Sequence, residues 1–298
     1  MLSAALVVAL FLVGGVANAA PGSVEMRLTD DRGRTHVIQG PARRIVTLSP
    51  HLSEIVFAAG AGGALAGVSS ASDFPEAARR LPVVASHGRA DRERIALAQP
   101  DAILAWLTGT PVREVERLER LGVPVIVTEV RRLPDIPRLV RLAGRLAGTP
   151  DSAEREAASL EEQISELARP RGSGPSVSAF VEIWHRPLMT VNGEHLISDV
   201  LRTCGARNVF AAARSLTFSV SREQLLKARP QAIVMNAMPG EEGAAHARWS
   251  HPVLRTLHQG RLFAIDPRLM HSQGPRLIAV ARALCAELDR VRASLRSG

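Results

Sequence analysis

Short apolar runs alternate with stretches of helical period through the first half of the chain. Residues 44–48, 65–69, 83–85, 102–106 and 124–128 are rich in aliphatic side chains and bounded by polar or turn-forming residues, the pattern of buried strands. Between the first two, Ser49-Pro50 opens a helix: serine is a preferred cap, proline suits the first turn, and Ile55, Val56 and Ala59 supply an apolar face. Residues 111–121 and 133–147 repeat apolar positions at helical spacing and read as two further helices. Strand and helix in alternation predict a parallel sheet with crossover helices. Ahead of this unit, residues 26–39 read as a hairpin turning at Asp30-Asp31-Arg32-Gly33.

The alternation stops at Gly148-Thr149-Pro150-Asp151. Residues 152–168 then run without strand character, with Leu160, Ile164 and Leu167 along one stripe, and predict a long helix capped at both ends. Beyond it come strands at 178–183, 208–210, 232–235 and 261–265, a helix at 194–204 and a closing helix at 274–295. One stretch occurs twice. Residues 92–104 and 222–234 match at a constant offset, with Arg92, Glu93, Pro100, Ala102 and Ile103 returning as Arg222, Glu223, Pro230, Ala232 and Ile233. Each copy reads as a short helix capped by Asp91 or Ser221, a proline stop and a buried strand. Two copies this far apart point to two related lobes rather than a solenoid. The expected fold is α/β: two lobes, each a mostly parallel sheet flanked by helices, joined by a single long helix, with a ligand cleft between them. The expected boundaries are 1–20 for a signal peptide, 21–148 for the N-terminal lobe, 149–170 for the bridging helix and 171–298 for the C-terminal lobe.

Composition narrows the class. At 298 residues, 46% hydrophobic and 22% charged, the chain suits a globular protein of two domains. Residues 2–16 form an apolar run too short to span a bilayer comfortably, followed by the small residues Ala17, Ala19 and Ala20, as in a secretory signal peptide. The usual positive n-region is missing, which leaves the true start open, and no cysteine follows the run to take a lipid. The mature protein is expected to be soluble and exported. A formal charge of +8 raises the question of nucleic acid. The basic residues are scattered arginines, Lys227 being the sole lysine, and they form no stripe with interleaved aromatics, so no nucleic-acid partner is expected. Cys204 and Cys285 are the only cysteines; in an exported chain an even pair is most simply a disulfide. A metal–thiolate pair is the other reading, against which the absence of CxxC spacing speaks.

Several segments together resemble the periplasmic cobalamin-binding proteins of ABC importers, the two-lobed, helix-bridged class of solute-binding proteins. They are Arg44-Ile-Val-Thr-Leu-Ser-Pro-His-Leu-Ser-Glu, Gly67-Val-Ser-Ser-Ala-Ser-Asp-Phe-Pro, Pro100-Asp-Ala-Ile-Leu-Ala-Trp, Met189-Thr-Val-Asn-Gly and Val220-Ser-Arg-Glu-Gln, with the cysteine pair. The resemblance covers essentially the whole mature chain. It implies a monomeric periplasmic receptor that captures cobalamin or a related corrinoid in the cleft and delivers it to a permease dimer at the inner membrane. It also implies docking through one glutamate per lobe, at Glu93 and Glu223. The independent reading of those glutamates is stabilisation of a helix N-terminus, and the two roles are compatible.

The ligand positions depart from the family pattern. Where the family places aromatics, this chain has Ala71, His87, Met189 and Thr217; Trp106 is kept, and Asp266 matches an aspartate that accepts from a corrin amide. With aromatics at 3% and no tyrosine, few flat side chains are available for a cleft. Trp184 and His185 are expected near the cleft mouth, as are His51 and His271. Neutral imidazole ligates cobalt, iron and zinc, so His87 or His271 is a candidate axial ligand, and haem, an iron chelate or a metal ion is the alternative cargo. The other reading of these histidines is a polar pocket wall. His195 with Asp199 is a weaker metal pair. No HExxH, Gly-x-Ser-x-Gly or P-loop lysine motif is present, and nothing assembles an acid, a base and a nucleophile, so no enzyme and no cofactor are expected.

Overall fold

The computed structural model describes residues 25–86, 89–170, 176–258, 261–270 and 272–296. The expected signal peptide, His87 and His271 lie outside the described residues. Strands β1 (Glu25–Thr29) and β2 (Thr35–Gln39) form the expected antiparallel hairpin. The first lobe follows as β3 (Ile45–Thr47), α1 (Pro50–Ala58), β4 (Leu65–Ser69), β5 (Val83–Ser86), β6 (Arg89–Ala90), α2 (Arg92–Ala98), β7 (Ala102–Trp106), α3 (Val112–Glu119), β8 (Val125–Thr128) and α4 (Asp135–Ala147). Its sheet has the order β6-β5-β4-β3-β7-β8 and is parallel except for β6. Helix α5 (Pro150–Leu167) starts two residues before the expected position, because Pro150 fits the first helical turn.

The second lobe comprises β9 (Val177–Val181), β10 (Trp184–His185), β11 (Leu188–Val191), α6 (Leu196–Thr203), β12 (Ala206–Asn208), β13 (Thr217–Ser219), α7 (Arg222–Ala228), β14 (Ala232–Asn236), α8 (Glu242–Arg248), α9 (Pro252–His258), β15 (Leu262–Ile265), α10 (Pro267–Met270) and α11 (Leu277–Ser294). Its main sheet is parallel, in the order β12-β9-β14-β15. A second, antiparallel sheet, β10-β11-β13, has no counterpart in the sequence reading. Its strands are two to four residues long and carry no clean alternation. Strand β12 ends at Asn208 rather than beginning there. The Asn208 side chain turns the chain instead, donating to Val191 O and Ser198 Oγ and accepting from Phe210 N.

Each main sheet buries both faces, and the two faces serve different ends. Ile45, Ala102, Leu104 and Ile126 point to one side of the first sheet; Val46, Ile103, Ala105, Val125 and Val127 point to the other and pack beneath α2 and α3. In the second sheet Ala179, Val181, Ala232 and Val234 face one way, while Phe180, Ile233 and Met235 face α7, α8 and α9. The former faces of both sheets meet in a single apolar cluster. Helix α5 threads that cluster with Ala153, Ala157, Leu160, Ile164 and Leu167, and α11 enters it from the second lobe with Leu277, Ile278, Ala281, Leu284 and Leu288. At 1.5 Å per residue α5 is about 27 Å long. The lobes are thus joined by shared core as well as by covalent chain. The bond Cys204–Cys285, with Cα atoms 4.7 Å apart, fastens the end of α6 to α11 within the second lobe.

The repeat is structural as well as textual. Helices α2 and α7 run into β7 and β14, each one strand in from the edge of its sheet, and both end on a non-glycine residue in the left-handed region: Gln99 at φ 44° and Arg229 at φ 46°. A Cβ in that conformation is disfavoured by about 1–2 kcal/mol, and glycine is the usual occupant after a helix. Gln99→Gly and Arg229→Gly are each expected to raise unfolding free energy by ~0.5–1 kcal/mol after the entropic cost of glycine is deducted; urea unfolding of the two variants measures this.

Candidate functional site

The N-terminal half of α1 is buried although four of its first five residues are polar or proline. Thr47 Oγ1 and Ser53 Oγ lie 2.7 Å apart, Ser53 and Ser72 hydroxyls 2.9 Å, and Ser69 and Ser72 hydroxyls 3.1 Å. This hydroxyl chain ties β3, α1 and the end of β4 together and fixes the turn that carries exposed Ala71. Glu54, 4% exposed, reaches across to the second lobe, where its Oε1 accepts from Arg276 and from Ser272 Oγ at 3.3 Å. Arg276, at the head of α11, also lies 3.6 Å from Asp73 and stacks over the Phe74 ring at 4.3 Å. Gly274 makes the approach possible, since a Cβ there would stand 2.8 Å from Glu54 Oε2.

His51 is buried beside this joint, edge-on to Trp106 with ring centroids 5.3 Å apart. Burial disfavours its charged form and lowers its pKa from 6.5 to about 3. Trp106 stands at the end of β7 and is oriented by Glu129. The indole N–H donates to Glu129 Oε1 at 3.0 Å, while Thr108 N donates to Oε2 at 3.1 Å. A Cβ on Gly109 would fall 1.8 Å from the Trp106 ring, so the chain can pass under the indole only as glycine.

Between the lobes lies a cavity of about 220 Å³. The first lobe contributes Trp106, Thr108, Glu129, Val130 and Arg131; the second contributes Glu194, His195, Leu196, Leu216, Thr217 and Gln273. Of the sequence-predicted cleft residues, Trp106 and Thr217 therefore share this space, with His51 directly behind. Trp184, Met189 and Ser219 are cross-strand partners and, with Thr217, lie on one face of the β10-β11-β13 sheet. His185 lies on the opposite face and lines a separate hollow of about 210 Å³ with Arg186, Arg222 and Arg248. Asp266 is paired with Arg268 at 2.7 Å and borders a third, largely apolar hollow between β15 and α11. Neither His185 nor Asp266 lines the cavity that holds Trp106. His195 and Asp199 are occupied otherwise: His195 Nδ1 accepts from Ile197 N, and Asp199 accepts from Leu133 N at 2.8 Å, a second inter-lobe bond. Among the described residues no three His, Cys, Asp or Glu side chains gather as a metal site.

Sequence reasoning passed over Glu129, Arg131, Glu194 and Gln273. Glu129 carried one usable signal, since ligand sites of parallel sheets collect just past the carboxyl ends of strands and Glu129 follows β8 directly. Gln273 carried none. The two docking candidates occupy equivalent places. Glu93 and Glu223 are exposed in the first turns of α2 and α7, behind the caps Asp91 and Ser221, whose side chains accept from Arg94 N and Gln224 N. The Ser221 hydroxyl and its own backbone N–H hold the Glu223 carboxyl below the usual range.

A cavity framed by two α/β lobes with a common core is the architecture of a solute-binding protein. The chain belongs to the periplasmic binding protein family, whose model matches residues 45–269. It is 33% identical over 249 residues to the vitamin B12-binding protein of Pectobacterium carotovorum subsp. carotovorum (strain PC1), covering 83% of this chain and 88% of the relative. Among solved structures, the periplasmic vitamin B12 binding protein BtuF of Vibrio cholerae superposes with a TM-score of 0.75 at 28% identity, over 84% of this chain and 98% of that one. The periplasmic heme-binding protein RhuT from Roseiflexus sp. RS-1 shares the fold, with a TM-score of 0.72 at 23% identity over 84% and 99% of the two chains. The family and these relatives are named for binding. No helix among the described residues is long and apolar enough to cross a membrane.

Two outcomes follow from the buried groups. Because His51 binds its proton more weakly folded than unfolded, its contribution is fully present above pH 6.5 and is lost as pH falls from 6.5 toward 3, by about 1.4 kcal/mol per pH unit. His51→Phe is expected to remove that component from the pH dependence of urea unfolding. Arg276→Met strands the Glu54 carboxylate and is expected to cost ~3–5 kcal/mol, most of it recovered in the Glu54→Gln/Arg276→Met double variant; equilibrium unfolding of both proteins checks this.

Proposed function

We propose that this protein is the periplasmic receptor of an ABC importer, which captures cobalamin or a related corrinoid between its lobes and hands it to the membrane permease. The observation that carries this reading is similarity along nearly the full length of vitamin B12-binding relatives, with Trp106 retained as a flat wall of the inter-lobe cavity. The division into an exported leader at 1–20, lobes at 21–148 and 171–298, and a brace at 149–170 belongs to the same proposal. So does the cleft assignment of His51, Ala71, Trp184, Met189 and Thr217, and of His87 or His271 as a ligand to the metal, whereas the expected cleft residues His185 and Asp266 border hollows of their own. The shared core around α5 supports small adjustments on binding rather than wide closure.

Glu93 and Glu223 are proposed to meet cationic groups of a two-fold permease, one from each lobe. Their exposure and their matching places in α2 and α7 support this, for a rigid two-lobed receptor offers a symmetric partner one carboxylate per side. Titration of the ligand-free protein with aquocobalamin is expected to give one-to-one binding by absorbance and calorimetry. The Glu93→Arg/Glu223→Arg variant is expected to keep that affinity and lose uptake. Haemin binding in place of aquocobalamin would overturn the corrinoid reading, and uptake surviving the double reversal would overturn the docking surface.

A further inference from the structure

The hollow beside β10 gathers more positive charge than it neutralises. Its buried member is Glu182, 2% exposed, whose carboxylate accepts from Arg248 at 2.9 Å and from Trp249 Nε1 at 2.8 Å. That pair is balanced. Arg186 and Arg222 are exposed lining residues, and neither guanidinium makes a hydrogen bond or ion pair with a described residue. Arg222 acts on the neighbouring Glu223 only through space, and Glu223 does not line the hollow. Two cations thus border a space of about 210 Å³ that has no free carboxylate among its lining residues.

Position decides what could answer them. The cross-strand partners His185 and Leu188 line this hollow, whereas Trp184 and Met189 face the other side of the small sheet. A ligand held between the lobes is therefore walled off from both arginines. Glu182 follows β9 directly, and Arg248 donates to Asn236 O at the end of β14. Those strands are parallel, so the hollow sits at the carboxyl end of the sheet. Helix α7 turns back through Arg229 and Pro230 into β14, which puts its first turn, with Arg222 and Glu223, at that same end.

We propose that the hollow is a second docking contact on the C-terminal lobe and receives an acidic side chain of the membrane partner between Arg186 and Arg222. The inference rests on the docking reading of Glu223 and deepens it, because charge is then exchanged in both directions across one interface. A guanidinium fork matches a carboxylate in shape and charge, and the apolar flanks of Leu188, Leu225 and Leu254 lower the local dielectric around it. Opposite charges side by side on each surface also penalise a shifted approach, which sets like against like.

The test follows binding of the purified protein, by sedimentation, to right-side-out inner-membrane vesicles of the bacterium that makes it. Saturable binding of the wild-type protein is expected, weakened ~10-fold in Arg186→Gln/Arg222→Gln and kept in Arg186→Lys/Arg222→Lys. Amidation of the vesicles' exposed carboxylates with carbodiimide and glycinamide is expected to bring the wild-type protein down to the level of the glutamine variant. Unchanged affinity in that variant, where Glu93→Arg/Glu223→Arg has lost binding, would overturn the hollow as a contact and leave the docking glutamates standing. Binding that neither variant weakens would overturn both. An arginine-dependent share that survives amidation, or that reappears on liposomes of the extracted lipids, would assign the hollow to lipid phosphate and overturn the acidic side chain.

Discussion

The carboxylate of Glu54 belongs to one lobe and the guanidinium that neutralises it, on Arg276, belongs to the other. A buried charge is tolerated only with its counter-charge and hydrogen bonds in place, so this contact sets where the head of α11 must sit relative to α1. Ser272, Gly274, Asp73 and Phe74 all serve the same junction, as hydroxyl donor, clearance, second carboxylate and aromatic seat. The cavity lies alongside, because Gln273 is carried between Ser272 and Gly274. The apolar cluster around α5 then fixes the remaining orientation of the lobes through packing, which has few alternatives at native density.

The internal repeat gives the two lobes matching parts. The αL residues Gln99 and Arg229 place Pro100 and Pro230 alike, and the strands beyond them take the same place, one in from the edge, in both sheets. Beyond these shared parts the two lobes differ. The first lobe ends its repeat strand on Trp106 at the cavity. The second packs four aromatics in a row, with Phe218 edge-on to Phe210, Phe210 edge-on to Phe180, and Phe180 against Trp249.

The elements legible in the sequence were those whose signal is local. Parallel strands declared themselves as aliphatic runs, and α4, α5 and α11 by spacing. The repeat alone announces a pair of lobes. What stayed hidden depends on contacts far apart in the chain. Nothing local in the sequence marks Glu54, and the partner that gives it its meaning lies 222 residues away. The β10-β11-β13 sheet is held by cross-strand pairing of segments too short to show a period. It also decides which predicted residues face together, dividing Trp184 and Met189 from His185. Glu129 was overlooked because its work, orienting Trp106 through the indole N–H, is invisible without the distance.

The three tryptophans also make the protein its own optical gauge. The chain has no tyrosine, so its near-ultraviolet emission comes from Trp106, Trp184 and Trp249 alone. Trp249 is buried at 2% exposure, Trp184 is 57% exposed, and Trp106 lies between these extremes against the cavity. An absorbing ring lodged between the lobes would darken the emission of Trp106 by energy transfer, while external quenchers reach Trp184 first and loss of core packing is reported by Trp249. Occupancy, surface access and integrity of the second lobe can thereby be followed through the protein's own emission, without any label being attached.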